Sequence, residues 1–174
     1  MDDFLIVDLR EYEGKSLKNV SQSEIDSLKD EKEEKRADAL PEKEGTELLA
    51  FIKDLLKERV EDVVSSKRLV DSPCCLVSPK EGMSSHMERM MKMMDKEYKL
   101  SKRTLEVNLN HKIIRNLAEI YQKNNKHEFL KEGVEQLYTN ALMVEGLLEH
   151  PLEILPRMYR FMEDASEYQL GRAS

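Results

Sequence analysis

Between Met83 and Met94 the chain carries six of its ten methionines. On a helical wheel Met83, Met87, Met90, Met91 and Met94 fall on one face, with Glu88, Lys92 and Asp95 opposite. A thioether is flexible and polarisable, so a face built of them adapts to many apolar shapes and suits docking without one fixed partner geometry. The same spacing is also that of a helix packed into a core. Reactive chemistry is scarce. Cys74 and Cys75 are adjacent, which makes a mutual disulfide awkward and gives no metal-ligand spacing, so they read as buried strand residues. His86, His111, His127 and His150 are scattered, with no His-Glu-x-x-His, and no glycine-rich phosphate loop occurs. The residues point to binding rather than catalysis, and no catalytic, cofactor or metal position is assigned.

The elements that must position this face follow from periodicity. Hydrophobic residues make up 40% of the 174, enough for a folded core, while a net charge of −7 argues against a nucleic-acid backbone as partner. No apolar run is long enough to span a membrane and the first residues lack the basic start of a secretory signal, so the cytoplasm is expected. Residues 4–9 suggest a short strand, followed at 11–14 and 20–23 by turns and a connecting strand. The segment from Lys29 to Glu44 is almost entirely charged and marks a domain boundary near residue 40. A helix follows from Thr46, with Leu48, Leu49, Ile52, Leu55, Leu56 and Val60 at three- and four-residue spacing and Gly45-Thr46 capping its start. Strands are expected at about Lys67–Val70, Cys74–Val77 and Thr104–Asn108, with a turn at 79–82 and the methionine helix over about Ser84–Asp95. Asn110 is a candidate cap for a helix over about Lys112–Gln122, with Ile113, Ile114, Leu117, Ile120 and Tyr121 inward.

The last third reads as two helices. Leu130, Val134, Leu137, Ala141, Val144 and Leu148 form a heptad stripe, and Leu155, Met158, Tyr159 and Met162 form another after His150-Pro151. Pro156 is expected to kink or restart the second helix. A lone hairpin cannot cover both its stripes. Either the chain's own strands and the helix at 112–122 cover them, or a second copy does so through a twofold axis.

Three blocks resemble one known family. Residues 68–77 read Arg-Leu-Val-Asp-Ser-Pro-Cys-Cys-Leu-Val, residues 83–89 read Met-Ser-Ser-His-Met-Glu-Arg, and residues 105–108 read Leu-Glu-Val-Asn, followed by His111. In this order and at these separations they resemble the heat-shock protein 90 chaperones of bacterial type. Leu9 to Leu17 is similar to the end of that family's middle domain, and the likeness extends from about Phe4 to Ala165. Two prolines of the family pattern around His111 are replaced by Leu109 and Lys112.

The resemblance implies a C-terminal domain at 41–174 preceded by a remnant of the middle domain at 1–40. It implies an α+β fold, a small sheet of about three strands packed with helices, then a C-terminal helical hairpin forming a four-helix bundle in a homodimer. Dimer contacts are expected at Leu137, Ala141, Val144, Leu155, Met158 and Met162, so that Leu137→Asp combined with Met158→Asp would give monomers. Met83, Met87, Met90, Met91 and Met94, enriched by Met93, would hold unfolded or partly folded client proteins. ATP and magnesium belong to the full-length chaperone, in a domain outside this chain, so the fragment itself is expected not to be an enzyme. The chain ends Gln169-Leu-Gly-Arg-Ala-Ser rather than in the tail by which the family's eukaryotic members recruit co-chaperones, so a bacterial-type protein without that docking is expected unless a tail has been trimmed away. The rival reading is a dimeric helical scaffold or adaptor that binds one specific peptide through the methionine helix. Trials with several unrelated unfolded proteins separate the two, because an adaptor rejects most of them.

Overall fold

The computed structural model describes residues 40–79, 83, 85–95 and 97–173, together with a two-stranded backbone pair at the N-terminus. That pair is β1 (Glu11–Tyr12) and β2 (Lys15–Ser16), antiparallel. The strand expected at 4–9, the turn at 20–23 and most of the charged run from Lys29 lie outside the described residues.

Helix α1 (Glu42–Leu56) buries Leu48, Ile52 and Leu56 completely, while Lys53 and Asp54 stay in solvent. It begins earlier than expected, after Pro41, and Thr46 lies inside it, its hydroxyl donating to the Glu42 carbonyl at 2.9 Å. Gly45 lets Leu109 approach closely: an added Cβ would lie 2.9 Å from Leu109 Cδ1, so that side chain would have to shift. Val60 does not continue the helical stripe. The chain turns after Leu56 and the β-branched run starts β3 (Val60–Ser65), where branching at Cβ favours the pleated backbone. The expected strand at Lys67–Val70 is instead a bend. Asn108 holds it, donating from Nδ2 to the carbonyls of Val70 (3.1 Å) and Ser72 (3.3 Å) while its backbone N–H donates to Pro73. Those bonds satisfy the bend's carbonyls without a strand partner.

β4 (Cys74–Val77) and β5 (Arg103–Val107) complete a three-stranded mixed sheet in the order β3-β5-β4, β5 running parallel to β3 and antiparallel to β4. Leu105 sits in the middle, opposite Val63 on one side and Leu76 on the other. Alternation along β5 turns Arg103, Leu105 and Val107 to the buried face. Between β4 and β5 the methionine helix α2 spans Ser85–Met94.

Helices α3 (Lys112–Lys123) and α4 (Glu128–Val144) join α1 and the sheet in one core, in which Ile114, Leu117, Leu130 and Val134 are almost wholly buried. Histidine caps both: His111 Nδ1 accepts from the Ile113 N–H and His127 Nδ1 from the Phe129 N–H, each at 3.2 Å. Asn110 is therefore not the cap. Ile113, expected inward, is about half exposed, because Ile114, Leu117 and Ala118 define the packed face. After Gly146 a 3-10 turn at Pro151–Ile154 leads into α5 (Leu155–Ala173). Pro156 falls in the first turn of α5, where no intrahelical donor is needed, so the helix continues beyond it for four turns. The α+β class and the three-stranded sheet are as the sequence led us to expect. Among the described residues no helix is long and apolar enough to cross a membrane.

Candidate functional site

Helix α2 is mounted the opposite way from an ordinary amphipathic helix. Its one buried residue is Glu88, and its apolar side chains face outward. Met83, Met87 and Met90 are 40%, 38% and 40% exposed, Met93 and Met94 are 85% and 82%, and Met91 is partly covered. Of the face drawn from the wheel, Met83, Met87, Met90 and Met94 lie on the surface and Met91 is partly covered, while Met93, outside that face, is the most exposed of the six.

A carboxylate cannot be buried without a cation and donors to replace its water. The first residue of β5 supplies the cation. Arg103, itself almost fully buried, donates from Nη2 to Glu88 Oε2 in a very short bond, while its Nη1 reaches Ser78 Oγ (2.9 Å) and Ser85 Oγ (2.8 Å). Glu88 Oε1 accepts the Ser101 backbone N–H at 2.9 Å. Glu145, at the end of α4, lies 3.6 Å from Arg103 Nη1 and accepts from the Ser85 hydroxyl. Among the described residues only Arg103 Nε lacks a partner in this network. Burial works against ionising Glu88, but the bonds from Ser101 and Arg103 outweigh it and hold the carboxyl below its ordinary range.

The outer turns of α2 are also anchored by polar atoms. Arg89 Nη1 donates to the Glu145 carbonyl at 2.6 Å, placing a cation at the negative end of α4. Lys92 Nζ bonds the Tyr98 carbonyl (2.9 Å) and pairs with Glu149 at 3.2 Å. A cleft of about 300 Å³ lies between these anchors and Leu147–Leu148, with Met93 on its rim. Gly146 makes the Arg89 contact possible. Its φ of +67° is a left-handed backbone, and a Cβ there would lie 2.5 Å from Arg89 Nη1. Gly146→Ala is expected to lower stability in urea by about 1–2 kcal/mol from backbone strain alone, while displacing Arg89. An unchanged midpoint would show that the turn relaxes freely.

The hairpin residues divide. Leu137 and Ala141 are buried in the chain's own core, where Leu137 offers its carbonyl to the Cys74 thiol at 3.5 Å. An aspartate at 137 would therefore damage the fold before it could report on association. Leu155 is partly covered, whereas Val144, Met158 and Met162 are exposed. Helix α5 leans on α4 through Phe129 against Phe161 (centroids 5.6 Å apart), Arg160 to Glu132 (2.5 Å), and Arg157 to Gln136 (2.7 Å) and Thr139 (3.0 Å). Its remaining side chains Met158, Tyr159, Met162 and Tyr168 are exposed.

The cysteines do not offer a nucleophile. Cys74 is buried and Cys75 partly so, on opposite faces of β4. Burial, with a smaller contribution from Cys75, pushes the Cys74 thiol up to about 12. Burial also raises Cys75, against the pull of Arg68, whose Nη2 lies 3.3 Å from its sulfur. Both are protonated at neutral pH and so weakly reactive.

The blocks that carry the family resemblance prove to be the joints of this frame. Arg68 pairs with Glu106 at 2.8 Å, Asn108 holds the bend, and Glu88 and Arg89 seat α2. What the sequence did not reveal is Arg103, and the signal was its period-two match with Leu105 and Val107. The family model described as Hsp90 protein matches residues 1–172. The chain is similar to Chaperone protein HtpG of Chlorobium luteolum, 39% identical over 95% of this chain and 26% of the relative. It is similar also to Chaperone protein HtpG of Chlorobaculum tepidum, 40% identical over 95% and 26%, and of Oleidesulfovibrio alaskensis, 34% identical over 95% and 27%. The chain spans about a quarter of the length of the curated relatives it matches. With the model matched across almost its whole length, the chain belongs to the Hsp90 protein family.

Proposed function

We propose that the chain is the C-terminal dimerisation and client-contact domain, residues 41–174, of an HtpG-type, ATP-dependent cytoplasmic chaperone, with residues 1–40 the end of the middle domain. The observation that carries this reading is the reversed mounting of α2. A helix that buries its only inward carboxylate on Arg103 and turns four methionines outward, with exposed Met83 just before it, presents adaptable apolar area to water, where a monomeric enzyme would hide it. Partly unfolded chains expose apolar side chains of many shapes, and thioethers can repack around them. In this scheme the hairpin of α4 and α5 joins its counterpart in a second copy to make a four-helix bundle. Val144, Met158 and Met162, with partly covered Leu155, form the meeting ridge, while Leu137 and Ala141 support it from within. Such an interface needs about 800 Å² from each partner. Joining two protomers raises the local concentration of their ATP-binding domains for each other and so favours closure of a clamp. This segment performs no chemistry in that scheme.

Replacing Met87, Met90 and Met91 by serine is expected to weaken capture of two unrelated unfolded proteins by about tenfold, a loss of ~1.4 kcal/mol, with the melting temperature unchanged. Reduced α-lactalbumin and a denatured enzyme serve as probes. A large fall in melting temperature would mean that these side chains support the fold instead, and capture of only one probe would favour a specific adaptor.

A further inference from the structure

All nine methionines among the described residues lie outside the buried core, which is built from leucine, isoleucine, valine, alanine, tyrosine and cysteine. Six of them are gathered on or beside one helix whose attachment is polar. This distribution separates two properties usually linked in a protein: the oxidisable sulfur is at the surface, and the packing that holds the fold contains no thioether. We propose that α2 is a reversible oxidation site, at which hydroperoxides convert Met93 and Met94 first, and then Met83, Met87 and Met90, to sulfoxides without unfolding the chain.

The chemistry is a two-electron oxygen transfer. The thioether lone pair attacks the terminal peroxide oxygen, the S–O bond forms as the O–O bond breaks, and a proton shift releases water from hydrogen peroxide or the alcohol from an organic hydroperoxide. The sulfur is oxidised and the peroxide reduced. Return requires a methionine sulfoxide reductase and a dithiol, which gives up two electrons and two protons as the oxygen leaves as water. Each sulfoxide replaces an apolar, flexible side chain with a polar one, so a face that repels water becomes a face that binds it. The anchors of α2 do not change, because neither Glu88, Arg89, Lys92 nor Arg103 takes part. The outcome is a surface whose stickiness is set by peroxide while the scaffold stays folded. Its effect on clients rests on the function proposed above, whereas the order of oxidation and the survival of the fold do not.

The test treats the full chain with dilute hydrogen peroxide under native conditions and follows peptide masses, thermal melting, binding of an apolar fluorescent dye and capture of reduced α-lactalbumin. Met93 and Met94, at 85% and 82% exposure, are expected to gain oxygen about twofold faster than Met87 and Met90, at 38% and 40%. Melting temperature should hold while dye binding falls, and the reductase should restore it. Met93→Leu with Met94→Leu should keep its dye binding through the early window in which the parent chain loses it. Equal oxidation rates at the four sites, dye binding unmoved by oxidation, or a melting temperature that drops in step with Met93 and Met94 would each overturn the proposal. A chain that binds the dye but never captures α-lactalbumin before oxidation would count against client contact alone, and the dye would still decide the oxidation question.

Discussion

Arg103→Met is expected to destabilise the fold by about 3–5 kcal/mol, because it leaves Glu88 fully buried without its cation. The two residues come from elements that share little apolar packing, so the damage should concentrate on α2. Amide hydrogen exchange along Ser85–Met94 should accelerate well before the core helices α3 and α4 respond. Adding Glu88→Leu to the same chain should recover most of the loss, since an apolar pair of similar volume costs little where an unpaired charge costs much. What remains is the Ser101 N–H without its acceptor, about 1–3 kcal/mol, together with Ser78, Ser85 and Glu145 without the Arg103 guanidinium. If the single and double variants unfold at the same urea concentration, the pair does not hold the helix. Acid provides a second handle on it. Glu88 titrates below its ordinary range when folded, so the unfolded chain binds its proton first on acidification. The stability contributed by the pair is therefore complete above the usual carboxylate range and is lost as pH falls through that range towards the lowered value. Glu88→Gln should remove that component of the acid response, leaving the rest of the curve in place.

Val144→Asp with Met162→Asp should turn a dimer into stable monomers. Both side chains are exposed in one protomer, so the substitutions should change folding stability by no more than about 0.5 kcal/mol each. Across a twofold axis they would instead bury four carboxylates without cations, each costing several kcal/mol, roughly, which exceeds what an interface of ordinary size can absorb. Sedimentation equilibrium would read the change as a halving of mass, with the circular dichroism spectrum and melting curve retained. A parent chain that already sediments as a monomer, or a variant that stays paired, would remove the four-helix bundle from the scheme. Leu137→Asp makes a useful contrast. Leu137 packs within the chain beside Cys74, so that variant should lose its melting transition whatever its association state.

Periodicity carried much of the fold into view. Leu48, Ile52 and Leu56 in α1, Ile114 and Leu117 in α3, and Leu130, Val134, Leu137 and Ala141 in α4 all repeat at helical spacing, and all are inside. The same rule misread Val60, which lies four residues beyond Leu56 yet opens β3, because spacing alone cannot tell a helix's last turn from a strand that starts nearby. It also took residues 67–70 for a strand, where the bend is held by Asn108, almost forty positions later in the chain. Long-range bonds of that kind leave no local trace. At the site, the methionine face was legible and its seat was not. Glu88 and Lys92 looked like a solvated side because charge usually marks solvent, and only the arrival of Arg103 on the inward side of β5 reverses that expectation. Likewise, a heptad stripe shows that Leu137 and Val144 share a face without showing that one is buried and the other, among the described residues, exposed.

The sheet order has a consequence for biosynthesis. The central strand is the last of the three to leave the ribosome, so the segments ending at Ser65 and Val77 have no neighbour to pair with until Arg103–Val107 emerges. A nascent polypeptide halted before that point carries two unsatisfied edges and a cluster of naked thioethers, the kind of surface that exposes an unfinished chain to aggregation.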